Sequence, residues 1–270
     1  MNYFDNEEKL IDYFQSLFKT QETALLPNYS NKLNEIVCSI ALEENWSGWK
    51  NNSSKDAPPP DFYSDDFSLM MEVMRVDDCA FESGEGKIIN KVNANESKAQ
   101  KKLEPILDKL PHVHAAHVIS AVDMNIPTDE HHNYSRYYKN FVRVVEKHKN
   151  QVSLYRKNHP NKKLIFFIMD ESTAYIETSK ISDKSKIGFA ISPNQIHLPC
   201  RDKKFMQVFE DSDIDYFIWY MPYKHFTPVQ SLNDIDPNNL IPKTVVIDIK
   251  KISEDEWINY KDELMMSSEI

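Results

Sequence analysis

The stretch with the most chemical content runs from Pro58 to Arg75 and reads PPPDFYSDDFSLMMEVMR. Asp61 follows the three prolines. Glu72 comes after ten intervening residues, inside a segment that is otherwise Leu69, Met70, Met71, Val73 and Met74. Side chains alternate along a strand, so Met70, Glu72 and Met74 share one face and Leu69, Met71 and Val73 the other. Two apolar faces describe a central strand. A lone carboxylate there costs on the order of several kcal/mol unless it is compensated. Two compensations are open: a cationic partner from a neighbouring element, or a divalent cation shared with a second carboxylate. Ser64-Asp65-Asp66 reads as a turn, and a hairpin around it would carry Asp61 toward Glu72. Two adjacent carboxylates raise each other's pKa unless a cation sits between them. Oxygen ligands of this kind suit Mg²⁺ or Mn²⁺, which activate a water and stabilise charge on a phosphate. The plainer alternative is a buried acid paired with His or Lys, and a Pro-Asp that merely starts a turn.

Pro60-Asp61, ten residues, then Glu72-Val73-Met74 resembles the PD-(D/E)xK nuclease motif. The segment Glu35–Trp46 is similar to the first helix of Holliday-junction-resolvase-like and restriction-enzyme-like members, and Glu35 matches the glutamate near its start. The resemblance spans roughly residues 31–110. It implies a restriction-endonuclease-like core and Mg²⁺ or Mn²⁺ held by Asp61, Glu72 and the backbone carbonyl of Val73. Glu35 would support the metal or a water, and DNA would be the partner. The sequence departs from the pattern at position 74, where the family's lysine is Met74. A thioether carries no charge and positions a water poorly. Arg75 belongs to the other face, so Lys87, Lys91 and Lys98 are the candidates for the missing amine. Two functions follow. One is a metal-dependent nuclease with an altered site. The other is a catalytically inactive nuclease-fold protein that binds nucleic acid or a protein partner.

Composition bounds the rest. A chain of 270 residues is long enough for one large core, and no linker or internal repeat divides it. No run of eighteen apolar residues is present, so no membrane span is expected. Cys38, Cys79 and Cys200 are odd in number and far apart, which fits a reducing cytoplasm and argues against a cysteine zinc cluster. A net charge of −10 argues against non-specific coating of nucleic acid but leaves room for a local basic face, and lysines do cluster at 87–109 and 147–163. With only four glycines, the sequence has neither GxxxxGK[ST] nor GxGxxG, so LIFFIMDE at Leu164–Glu171 reads as a plain buried strand and not as part of a nucleotide site. Oligomeric state is not legible, and a homo-oligomer stays open.

The elements that must position these residues follow from periodicity. Helices are expected at 6–19, 31–45, 88–110, 134–156, 201–209 and 254–265. Strands are expected within 62–78 and at 113–122, 164–169, 216–221 and 244–249, with a short one at 187–191. Strands and helices alternate after residue 62, an α/β pattern with one mixed central sheet flanked by helices in a single domain. Other candidates are weaker. His112, His114 and His117 form HxHxxH, and His131 and His132 adjoin acids, but neither group has a zinc spacing such as HExxH. No GxSxG supports a serine nucleophile. The 134–156 helix interleaves Arg136, Lys139, Arg143, Lys147, Lys149 and Arg156 with Tyr134, Tyr137, Tyr138 and Phe141, which describes either a nucleic-acid track or a solvated helix over a core stripe.

Overall fold

The computed structural model of the chain describes residues 6–19, 21, 23–53, 59–85, 87–90, 132–178, 195–226 and 237–268. Its elements in chain order begin with α1 (Glu7–Phe18), β1 (Thr23–Leu26), α2 (Asn31–Ala41) and the single turn α3 (Glu43–Trp46). The strands β2 (Trp49–Asn51), β3 (Phe62–Ser64), β4 (Leu69–Val76), β5 (Phe81–Glu82) and β6 (Ile88–Ile89) follow. Then come α4 (Tyr134–Lys149), α5 (Val152–Asn158), β7 (Lys163–Asp170), β8 (Tyr175–Glu177), α6 (Lys203–Gln207), β9 (Tyr216–Tyr220), β10 (Thr244–Asp248) and β11 (Met265–Ser267).

Seven strands form one mixed sheet in the order β1-β10-β9-β7-β4-β3-β2. β4, β7 and β9 run parallel at its centre, and β2, β3 and β4 form an antiparallel meander. The central strands are apolar on both sides because helices cover both sides. Met70, Met74, Phe166, Ile168, Phe217 and Trp219 face α4 and α6, where Tyr137, Phe141, Val145 and Phe205 meet them. Leu69, Met71, Val73, Ile165, Phe167 and Ile218 face α1 and α2, where Phe14, Ile36, Val37 and Ile40 meet them. The Phe141 and Trp219 rings stack at 5.2 Å between centroids.

Local chemistry sets the helix starts. Asn6, Ser30 and Asn133 each accept a backbone N–H of the first turn of α1, α2 and α4. Lys147, His148 and Lys149 occupy the last turn of α4, where cations complement the negative end of the helix dipole. Among the described residues no helix is long and apolar enough to cross a membrane.

Several expected elements differ. The long helix breaks at Asn150–Gln151, although Val152 and Tyr155 beyond the break still face the core, so the periodicity hid the interruption. The start of the 88–110 helix is a strand, Ile88–Ile89, paired with Phe81–Glu82. The expected C-terminal helix consists of 3-10 turns at Glu254–Glu256 and Asp262–Leu264, followed by β11 on β8. β11 takes a partner that lies far back in the chain, which a local pattern cannot reveal. The expected strands at 113–122 and 187–191 lie outside the described residues.

Candidate active site at the hairpin of Asp61 and Glu72

The β3–β4 register pairs Ser64 with Leu69, Tyr63 with Met70 and Phe62 with Met71. One step further, Asp61 stands opposite Glu72. The Asp61 N–H donates to Glu72 Oε2 at 3.3 Å, and the Val73 N–H donates to Asp61 Oδ2 at 2.8 Å. The Asp61 carbonyl accepts the Asn52 N–H at 2.6 Å, and Asn158 of α5 holds the Pro59 carbonyl at 2.6 Å, so the residues around the aspartate are pinned from two sides. The hairpin thus brings the two carboxyl groups together, as their spacing suggests. Burial first, and then the Glu72 charge, pushes the Asp61 carboxyl up to about 8, against the Val73 N–H, which favours its ionised form. Glu7, at the start of α1, adds repulsion, and Lys147 offsets part of it.

Glu72 is buried and has a partner of its own. His148 Nδ1 lies 2.7 Å from Glu72 Oε1, brought there by the last turn of α4. Tyr155 of α5 is fully buried beside the same carboxylate. Burial and then the Glu72 charge hold its phenol well above its ordinary value, yet its hydroxyl is not aligned into a good hydrogen bond. The carboxylate pair is therefore bracketed by a histidine and a tyrosine: a histidine on Glu72 is the pairing that the plainer alternative expects, but neither its identity as His148 nor the tyrosine was legible in the sequence. His148 is 76 positions from Glu72, and neither residue sits in a spacing that marks it.

The remaining site candidates separate from this pair. Met74 is buried in the core beneath α4, so position 74 offers no polar group. Lys87 is exposed in the β5–β6 turn, where its backbone is bonded to Ser83, and no bond joins it to Asp61 or Glu72. Lys91 and Lys98 lie outside the described residues. Glu35 is exposed on α2, the helix that covers the opposite face of the sheet from Glu72, so its expected support of a metal is not realised. The cause is the alternation of strand side chains: Glu72 points to α4, whereas α2 packs on Leu69, Met71 and Val73. Arg75 points away, as expected, and its Nη2 donates to both Glu171 carboxylate oxygens, at 2.8 and 2.9 Å.

Polar groups also gather beyond the C-terminal ends of β4 and β7. Asp78 accepts Tyr175 Oη at 2.6 Å and the Thr173 N–H at 3.1 Å, with His132 Nδ1 at 3.1 Å. Burial would raise the Asp78 carboxyl, but His132 and these donors outweigh it and hold it below the usual range. Cys79 Sγ lies 3.4 Å from the same carboxylate, and one donor atom each from Asp78, Cys79 and His132 fall within 4.8 Å of one another. This set could hold a transition metal, but the carboxylate is already satisfied without one. LIFFIMDE is the buried strand expected of it, and its Asp170 is a hub. Asp170 accepts Tyr137 Oη, Trp219 Nε1 and both donors of Ser172, with Lys224 Nζ at 3.4 Å. His112, His114, His117 and His131 lie outside the described residues. Cys38 is half-buried, and burial raises its thiol; Cys200 is buried, with its thiol pushed up to about 12 for the same reason. Neither has the lowered pKa of a nucleophile.

Compared with known proteins, the chain matches no family model, no curated protein and no solved structure.

Proposed function

We propose that the protein is a metal-dependent nuclease that hydrolyses phosphodiester bonds in DNA, on a restriction-endonuclease-like core and in the cytoplasm. The observation that carries the reading is the Asp61–Glu72 pair: two carboxyl groups at one register position on one face, with Asp61 pushed up to about 8 by burial and its neighbour. Among the described residues, α2 and the short α3 precede the antiparallel meander β2-β3-β4, and α4 and α5 precede β7, which runs parallel to β4; this arrangement adds support.

The donor set fits Mg²⁺ or Mn²⁺. Asp61 Oδ1 carries no hydrogen bond among the described residues, and Glu72 Oε2 accepts only the long one at 3.3 Å. Such an ion needs one or two carboxylates and completes its shell with water. The N–H and C=O of a strand residue face the same neighbour, so the Val73 carbonyl is turned to the Asp61 side, where its N–H already bonds. When bound, the ion polarises the phosphate and lowers the pKa of a water. The chain's own groups supply the proton acceptor. A Glu72 carboxylate that accepts Nδ1–H from His148 selects the tautomer with its lone pair on Nε2. In this proposal that nitrogen takes the proton from the attacking water, the role that Met74 cannot fill.

Cleavage of duplex, single-stranded and branched DNA and of RNA with Mg²⁺ or Mn²⁺ tests the reading. Asp61→Asn, Glu72→Gln and His148→Gln should each lower the rate at least tenfold. Equal rates in all four proteins would remove these residues from the mechanism.

A second reading has its own support. Met74 is packed into the core, and Glu72 already has a histidine partner, as in an inactive nuclease-fold protein that binds nucleic acid or a protein. Absence of cleavage on every substrate, with nucleic-acid binding retained, would select it.

A further inference from the structure

A groove of about 480 Å³ lies between the β5–β6 hairpin and α4, lined by Phe81, Ile88, Arg136, Lys139, Asn140 and Arg143. Arg136, Lys139 and Arg143 make it basic on a protein whose net charge is −10, and among the described residues no carboxylate lines it. Lys139 and Arg143 are exposed and form no ion pair among the described residues. Asn140 is buried and fixed at both ends, donating to the Asp77 carbonyl at 3.1 Å and accepting from Arg143 Nη2 at 2.5 Å. It therefore holds the guanidinium at the groove wall. The Arg136 guanidinium of α4 lies over the Phe81 ring of the opposite wall at 4.5 Å, and Ile88 on that wall is exposed. Paired cations beside an aromatic and an aliphatic surface suit a nucleotide unit, with phosphate on the cations and base or sugar on the apolar wall.

Helical spacing gives the groove a direction. Arg136, Lys139, Asn140, Arg143 and Lys147 recur at three- and four-residue steps and so lie on one side of α4. Lys147 is the cation that acts on Asp61, and His148 beside it holds Glu72. From Arg136 to Lys147 the helix rises about 16 Å at 1.5 Å per residue. A strand laid along this side passes from the groove to the carboxylate pair.

We infer that this groove is a binding track for a single strand of nucleic acid, with Lys139 and Arg143 on consecutive phosphates and the strand leading toward Asp61 and Glu72. The inference deepens the nuclease reading and rests on it only for the choice of ligand.

The test is fluorescence anisotropy of a labelled single-stranded 12-nucleotide DNA in EDTA, titrated over a range of salt concentrations. The double variant Lys139→Glu, Arg143→Glu changes exposed side chains but gives up the Arg143–Asn140 hydrogen bond, so a melting curve accompanies it to show that it is folded at the assay temperature. It should bind at least tenfold more weakly, with the slope of log K against log salt reduced by about 1.4, since each phosphate contact on a single strand contributes about 0.7. Phe81→Ala should weaken binding with the slope unchanged. Lys32→Glu, on the opposite layer, should bind within twofold of wild type. Wild-type binding without salt dependence, an unchanged double variant, or an equal loss in Lys32→Glu would each overturn the inference. The two readings separate cleanly. Cleavage that persists while binding ignores Lys139 and Arg143 defeats the track alone. Groove-dependent binding without metal-dependent cleavage defeats the nuclease alone.

Discussion

Asp61 and Glu72 grip each other's strands: the Asp61 N–H donates to the Glu72 carboxylate at 3.3 Å, while the Asp61 carboxylate accepts the N–H of Val73, next to Glu72, at 2.8 Å. This reciprocal arrangement fixes two acidic groups side by side, Glu72 buried and Asp61 half-buried. Whatever relieves their repulsion governs the stability of the region and, in the proposed function, its chemistry.

The raised Asp61 carboxyl makes stability fall as pH rises. Below the unfolded value of about 3.9 the group is neutral in both states and its contribution is fully present. Between there and about 8 the unfolded chain releases the proton while the folded chain keeps it, so the contribution is progressively lost. Asp61→Asn keeps an oxygen for the Val73 N–H and removes the titration. In metal-free buffer its melting temperature should gain on wild type steadily from pH 4.5 to 8.5. Parallel curves would show that Asp61 ionises at an ordinary value.

His148→Ala removes the partner of a carboxylate whose side chain is only 7% exposed. Losing one member of a largely buried pair should cost about 2–4 kcal/mol. In a Glu72→Gln background no charge is left to strand, so the same change should cost at least about 1 kcal/mol less. Urea unfolding of the four proteins at pH 7 closes the cycle, and additive losses would mean that the two groups do not interact.

Divalent ions should stabilise the folded state through the carboxylate pair. At a hundred times the dissociation constant the gain is about 2.7 kcal/mol, visible as a higher melting temperature in Mn²⁺ than in EDTA. The shift should vanish in the Asp61→Asn, Glu72→Gln double variant. A shift retained there would assign the ion to another set of donors, such as Asp78, Cys79 and His132.

Lys224 and Asp170 are both fully buried, and Lys224 also donates to Ser172 Oγ and the Thr173 carbonyl. Lys224→Met leaves the Asp170 charge in the interior with neutral donors alone. A cost of about 3–5 kcal/mol is expected from chemical unfolding. A near-neutral result would show that the four hydrogen bonds to Asp170 suffice to hold its charge.

The α/β class, the mixed sheet and the meeting of Asp61 with Glu72 were legible in the sequence because each depends on local pattern. Strand alternation put Glu72 opposite the face of Leu69, Met71 and Val73, and a short turn at Ser64-Asp65-Asp66 fixed its partner in register. Only the tertiary structure decided what surrounds the pair. His148 and Tyr155 arrive from helices that follow β4 by more than half a hundred residues, and Glu35 is sent to the far layer by the same alternation. The β8–β11 ladder and the groove wall that the β5–β6 hairpin sets against α4 were equally out of reach. Backbone periodicity records which way a side chain points. Which distant element it then meets depends on how whole layers pack, and no single segment carries that information.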